Sequence, residues 1–258
     1  MRWPDLLLYV LSAIPLAWAW RANRTSTLLH ALSWAAAAWT AWGAVLVLAE
    51  VPAEPAVRYL ALCLTACAGI AVLGARRPIA GPWNFVVLGL LGVLLLPLGE
   101  HLVLGTPLLD PLRLAFIGGT LAVGVLNYLP TRFALPVLLV AAGSGWELAL
   151  LLNGDEGSAW PRVGPLAVIL ACWAGELVAH WKRPAEPLDR LWLTFRDNFG
   201  LMWGQRVREQ FNQAARNAGW PLVLRWSGLR RAGSADTSYA LAEVTKTLKA
   251  LLRRFAAQ

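Results

Sequence analysis

Long apolar runs separated by short polar breaks fill the first 181 residues of this 258-residue chain. Seven runs occupy about residues 4–20, 27–49, 57–75, 82–104, 112–129, 134–152 and 163–181. Each is close to the length that crosses a hydrocarbon core of roughly 30 Å as a helix. The pattern predicts an all-α integral membrane protein, with a seven-transmembrane-helix up-and-down bundle over residues 1–183. Its short links make consecutive helices antiparallel neighbours. Pro15 and Pro97 interrupt spans one and four and predict kinks there. Gly89, Gly92, Gly118, Gly119, Gly143 and Gly145 predict close helix contacts. Asp110, Pro111 and Arg113 at its start shorten the apolar run of span five. Losing it would leave six spans and reverse the threading. Span one carries some features of a cleaved signal peptide, namely Arg2 and Ala17-Trp18-Ala19, but Asp5 and the bulky Trp18 and Trp20 oppose cleavage.

Beyond residue 183 the pattern becomes periodic. Leu188, Trp192, Phe195, Phe199 and Met202 recur at helical spacing, and a second stripe continues through Trp203, Val207, Phe211, Ala214 and Ala218. The two stripes point in different directions, which predicts a break at Gly200 and Gly204. Gly219 and Pro221 end the helix. Residues 221–226 read as a short strand and 228–233 as a basic loop. A final helix, capped by Asp236, has an apolar face of Leu241, Val244, Leu248, Leu251, Leu252 and Phe255. Lys246, Lys249, Arg253 and Arg254 form its basic side, a candidate surface for lipid or a partner. Residues 184–258 are therefore a mostly helical, basic amphipathic tail. Its last helix either lies in the membrane interface or packs on the first tail helix.

Charge places this tail. Residues 1–181 hold 9 Lys/Arg and 9 Asp/Glu, so the net charge of +8 resides in the remainder. Arg21, Arg24, Arg76, Arg77 and Arg132 lie in one set of connections, which has no acid, and the tail extends the same side. Arg2, Arg58, Arg113 and Arg162 fall on the other side. An excess of Lys and Arg marks the cytoplasmic face. The expected orientation is N-terminus outside and C-terminus in the cytoplasm, in a cell (inner) membrane. The preference for Arg, 20 against 3 Lys, points to a bacterial source. Trp3, Trp18, Trp20, Trp83, Trp160 and Trp181 sit near span ends, where indoles favour headgroups. Cys63, Cys67 and Cys172 all lie inside spans, which argues for packing rather than a disulfide framework.

Ionisable residues inside spans are costly and point to function by default. With this threading, Glu147, Glu100, His101 and Arg113 form a candidate outer polar layer, in which Glu147 should meet His101 or Arg113. His30, Glu176 and His180 form a candidate inner layer, with Glu176 and His180 on one helix face. No catalytic motif, phosphate-cradling glycine loop or inverted repeat is legible. An enzyme is not expected and no cofactor is expected; haem or a metal on the inner layer is the minor reading. The leading function is a non-enzymatic membrane anchor or assembly factor whose tail docks on a protein partner or anionic membrane lipid. A small permease or proton pathway through the carboxylates is the alternative, and an intramembrane redox protein is the third. Nucleic acid is not an expected partner, since charge alone is unspecific.

Overall fold

Pro15 lacks the amide that would close a helical turn, and the first apolar run parts just before it. The result is α1 (Trp3–Leu11) and α2 (Ala13–Asn23), joined at Ser12. The computed structural model describes residues 3–48, 54–76, 80–153, 162–181, 186–231 and 240–255. The Ser12 hydroxyl donates to the Tyr9 carbonyl at 2.6 Å and accepts from Trp39 Nε1 at 2.9 Å. The bend is thus bonded to its neighbour α3 (Leu29–Val47).

The other runs form α4 (Glu54–Ala71), α5 (Ala80–Leu104), α6 (Pro111–Tyr128), α7 (Ala134–Asn153) and α8 (Val163–His180). A single 3-10 turn, Val72–Gly74, extends α4. Asp110 caps α6 by accepting from the Arg113 amide at 2.9 Å, and Pro111 occupies its first turn. α5 runs unbroken through Pro97. Five helical segments among the described residues are long and apolar enough to cross a membrane: Pro55–Gly74, Gly81–Leu104, Pro111–Tyr128, Ala134–Asn153 and Val163–His180. The break at Ser12 keeps the first run from that group, and α3 carries His30, Ser33, Thr40 and three tryptophans that lower its hydropathy. Phe85, Leu102, Val103 and Leu104 on α5 are at least 70% exposed, as suits side chains facing hydrocarbon rather than water.

Close helix contact falls on other glycines than the composition of the runs suggested. Gly69 and Gly124 oppose each other where α4 crosses α6: a Cβ on either would lie 3.1 Å from the other's Cα. Of the six glycines expected at contacts, only Gly143 is tight, against Gly164 and Ala167. Gly89, Gly92, Gly118, Gly119 and Gly145 have open space where a Cβ would be.

α9 (Pro187–Asn217) carries both apolar stripes. Gly200 has φ 77°, ψ −165°, so the helix breaks there, whereas Gly204 is helical and gives room to the Trp226 ring. Gly219, at φ 67°, follows the helix end. The segment read as strand and basic loop is an antiparallel hairpin: β1 (Leu222–Arg225) pairs with β2 (Gly228–Arg231), Arg225 opposite Gly228. Strand pairing is satisfied because α9 holds the hairpin. Asn212 exchanges two hydrogen bonds with the Leu224 backbone, and Asp189 Oδ1 accepts from the Leu229 amide at 2.7 Å. The last helix, α10 (Ala240–Leu252), ends in the 3-10 turn Arg253–Phe255. The expected cap Asp236, the loop end at 232–233 and Trp160 lie outside the described residues.

The two tail helices pack on each other through one aromatic centre, whose edge is hydrogen-bonded to the apolar helices. Phe255 meets Phe195, Phe199 and Trp203 with ring centroids 4.7–5.3 Å apart. Its carbonyl accepts from the Thr27 amide at 3.1 Å, and the single Thr27 hydroxyl proton is placed between the Ala75 carbonyl at 2.8 Å and the Phe255 carbonyl at 3.1 Å. Thr27 precedes α3 and Ala75 follows the α4 segment, so the end of α10 sits against the ends of two apolar helices.

Candidate functional site

The ionisable residues divide into separate, locally neutralised groups. Glu147 is fully buried on α7, between Gly143 and Leu148 in a run otherwise rich in small and apolar residues. Its carboxylate forms an ion pair with Arg58, on the first turns of α4, which is 1% exposed. The expected partners His101 and Arg113 are not the ones it meets. Arg58 was legible as an outer-side cation at the start of span three, not as a partner of Glu147; it lies in the second turn of α4, which begins at Glu54. A buried charge without an opposite neighbour is costly, and packing α4 against α7 brings Arg58 to Glu147. Gly164 on α8 leaves the space that the Glu147 side chain fills.

Arg113 is engaged elsewhere. It forms ion pairs with Glu100 and with Asp110, the latter at 3.0 Å, and donates to the Pro107 carbonyl at 2.9 Å. His101 Nδ1 donates to the Thr106 carbonyl at 2.7 Å. Glu100, His101 and Arg113 therefore close the junction between α5 and α6 at a partly exposed edge, apart from Glu147.

The inner layer is also divided. Asn84 donates to His30 Nδ1 at 3.1 Å. His180 Nδ1 donates to the Glu176 carbonyl at 2.9 Å and faces the Glu176 carboxylate at 3.1 Å. No hydrogen bond or ion pair among the described residues joins His30 to the other two. No group of three or more His, Cys, Asp or Glu among the described residues could hold a metal ion.

Two features had no sequence signal. The first is the seat of the α9 break. Asn127 on α6 is 4% exposed; its amide donates to the Phe199 carbonyl at 3.4 Å, and its carbonyl accepts from the Met202 amide at 3.0 Å. The groups freed by the break at Gly200 are thus bonded by one side chain. Beside it, Tyr128 donates to the Asn198 carbonyl at 2.8 Å, and Trp226 Nε1 donates to the Pro130 carbonyl at 2.8 Å. Asp197, 3% exposed, is held between Arg196 at 2.6 Å and Arg132 at 3.2 Å.

The second is a lumen of about 770 Å³, partly open, lined by α3, α4, α6, α7 and α8, with α2 at one side. Its walls are mainly Ala, Leu, Val and Gly. Gly118 and Gly145, read as contact residues, face this space. Asn23, Tyr128, Asp197 and Asn198 line its tail-side end. The volume falls in the range of small-molecule sites. Neither feature is periodic in sequence, because each is assembled from residues far apart in the chain.

At the tail, Val244, Leu248 and Phe255 are buried, while Lys246, Lys249, Arg253 and Arg254 are exposed. Next to this basic surface, desolvation holds the Arg76 guanidinium below its ordinary pKa, and the charges of Arg254 and Arg206 lower it further. Arg76 also lies over the Trp203 ring at 5.8 Å. Comparison with protein-family models, curated proteins and solved structures gives no match for this chain.

Proposed function

We propose that this protein is a non-enzymatic membrane anchor or assembly factor that docks a protein partner or anionic lipid on the basic face of α10. In this reading the chain crosses a bacterial inner membrane seven times, with α1–α2 and α3 as the first two spans. Its N-terminus is outside and its tail is in the cytoplasm. The observation that carries the proposal is the division of α10. Its apolar side is buried on α9 and tied to Thr27, and its four basic side chains are turned outward. A basic face fixed at the ends of apolar helices is suited to anionic headgroups, at about 1 kcal/mol per Lys or Arg near the surface. The pairing of Glu147 with Arg58, of Glu100 with Arg113 and of Glu176 with His180, each in its own group, supports anchoring over a proton pathway.

A photo-crosslinking residue placed at Lys249 in native membranes tests the reading. An adduct with phospholipid or with one defined protein, lost when Lys246, Arg253 and Arg254 are changed to Glu, is the expected result. A proton flux in proteoliposomes that disappears with Glu147→Gln would replace anchoring with transport. Reporter fusions after Gln258 and at Gly154 should read cytoplasm and exterior; the same side for both would overturn seven spans.

A further inference from the structure

The lumen is built unlike a simple packing defect. It extends along α3 from Leu28 to Trp42, about 20 Å at 1.5 Å per residue. Four of its lining helices, α4, α6, α7 and α8, are long and apolar enough for a bilayer, and α6, α7 and α8 expose large aliphatic side chains on their outer faces. Its polar groups are mostly engaged with the protein. Thr65 donates to the Ala61 carbonyl at 2.8 Å and accepts from Trp42 Nε1 at 2.9 Å. Asn23 donates to the Ala19 carbonyl at 2.9 Å, and Asp197 is neutralised by its two arginines. Ser144 differs. It lines the lumen near its deep end and is 2% exposed, and its hydroxyl has no hydrogen-bond partner among the described residues. A buried hydroxyl in this condition is unfavourable until it finds an acceptor.

We propose that this lumen binds one elongated, uncharged lipid, with its hydrocarbon body along the Ala and Val walls and a carbonyl oxygen accepting from Ser144 Oγ. The class follows from the lining. A charged head would be desolvated at large cost, because the only ionisable carboxylate there is already paired. Water is poorly suited to these walls, since a stable buried water needs two to four polar partners. A hydrocarbon with one neutral acceptor satisfies both the walls and the hydroxyl. A prenyl quinone and a fatty-acyl ester share this chemistry. The inference is independent of what the basic face of α10 docks.

The test uses the full chain, purified in mild detergent, delipidated, and offered a short-chain prenyl naphthoquinone or monopalmitin. Binding is read by native mass spectrometry and titration. One molecule per chain is expected, and whichever probe is retained more strongly identifies the source. Gly118→Leu with Gly145→Leu places bulk where each Cβ has open space, and should abolish retention while helical circular dichroism is unchanged. Ser144→Ala should weaken binding about tenfold, the effect of one buried hydrogen bond. Retention of neither probe, or equal retention by the Leu variant, overturns the site. Wild-type affinity in Ser144→Ala overturns the assigned hydrogen bond.

Discussion

Arg58 and Glu147 face each other across α4 and α7 with essentially no solvent access, so neither charge has water to fall back on. Removing one partner should therefore cost ~3–5 kcal/mol, while replacing both by apolar residues should cost far less. We expect Arg58→Met to lower the detergent-phase unfolding temperature sharply and Arg58→Met/Glu147→Leu to recover most of the loss. Additive losses in that double-mutant cycle would show that the two side chains are not coupled. That Glu147 needed a polar partner was legible in the sequence, because a short carboxylate well inside an apolar run cannot reach the surface. The identity of the partner was not. Arg58 and Arg113 were equivalent as cations flanking spans, and only helix packing distinguishes them. Arg113 is already saturated by Glu100, Asp110 and a carbonyl.

At the scale of elements, the α9 break is a bonded joint. Gly200 adopts a left-handed φ, and a Cβ there would collide with Asn127 Nδ2 and lie 2.7 Å from the Asn127 backbone oxygen. Gly200→Ala should destabilise by about 2–5 kcal/mol, from backbone strain together with overpacking. Asn127→Leu leaves the Met202 amide without its acceptor and should cost ~1–3 kcal/mol. Hydrogen exchange at residues 199–203 reads both: each variant should speed it, and unchanged exchange would mean that the joint does not depend on this contact. The change of stripe direction in α9 made the break visible beforehand, because a straight helix cannot present both stripes to one surface. It did not separate Gly200 from Gly204, since both are glycines and only Trp226 decides which one must remain helical. The hairpin was half visible. Residues 221–226 read as a short strand, but β2 is Gly-Leu-Arg-Arg, whose charges read as loop until α9 supplies the surface that holds it.

At the scale of the molecule, the tail's own aromatic centre of Phe255, Phe199 and Trp203 borders the apolar helices, where the Thr27 amide donates to the Phe255 carbonyl, Trp203 Nε1 donates to the Val72 carbonyl and Arg132 pairs with Asp197. Phe199 is 5% exposed and stacks on Phe195 at 4.8 Å. Phe199→Asp should release the tail and make residues 186–231 readily cleaved by protease in membranes, whereas unaltered cleavage would show that the interface is not what holds it. Phe255→Ala removes the ring common to the cluster and should cost ~3–5 kcal/mol. It should also increase cleavage without changing insertion of the apolar helices.

Hydropathy by itself determined where chain would be apolar, where its charge would gather and that helices would dominate. These are properties of single segments: a run of apolar residues meets the solvent requirement of a bilayer regardless of its neighbours. Amphipathic periodicity likewise determined that α9 and α10 each have a face to bury. Which surfaces those faces meet, which arginine neutralises Glu147 and which glycines touch are pairwise matters between segments up to 228 residues apart. The lumen is more collective still, since it belongs to no single helix and is lined by five of them together. Tertiary structure alone decided it, because space between helices depends on the sizes of all facing side chains together and leaves no periodic trace in any one of them.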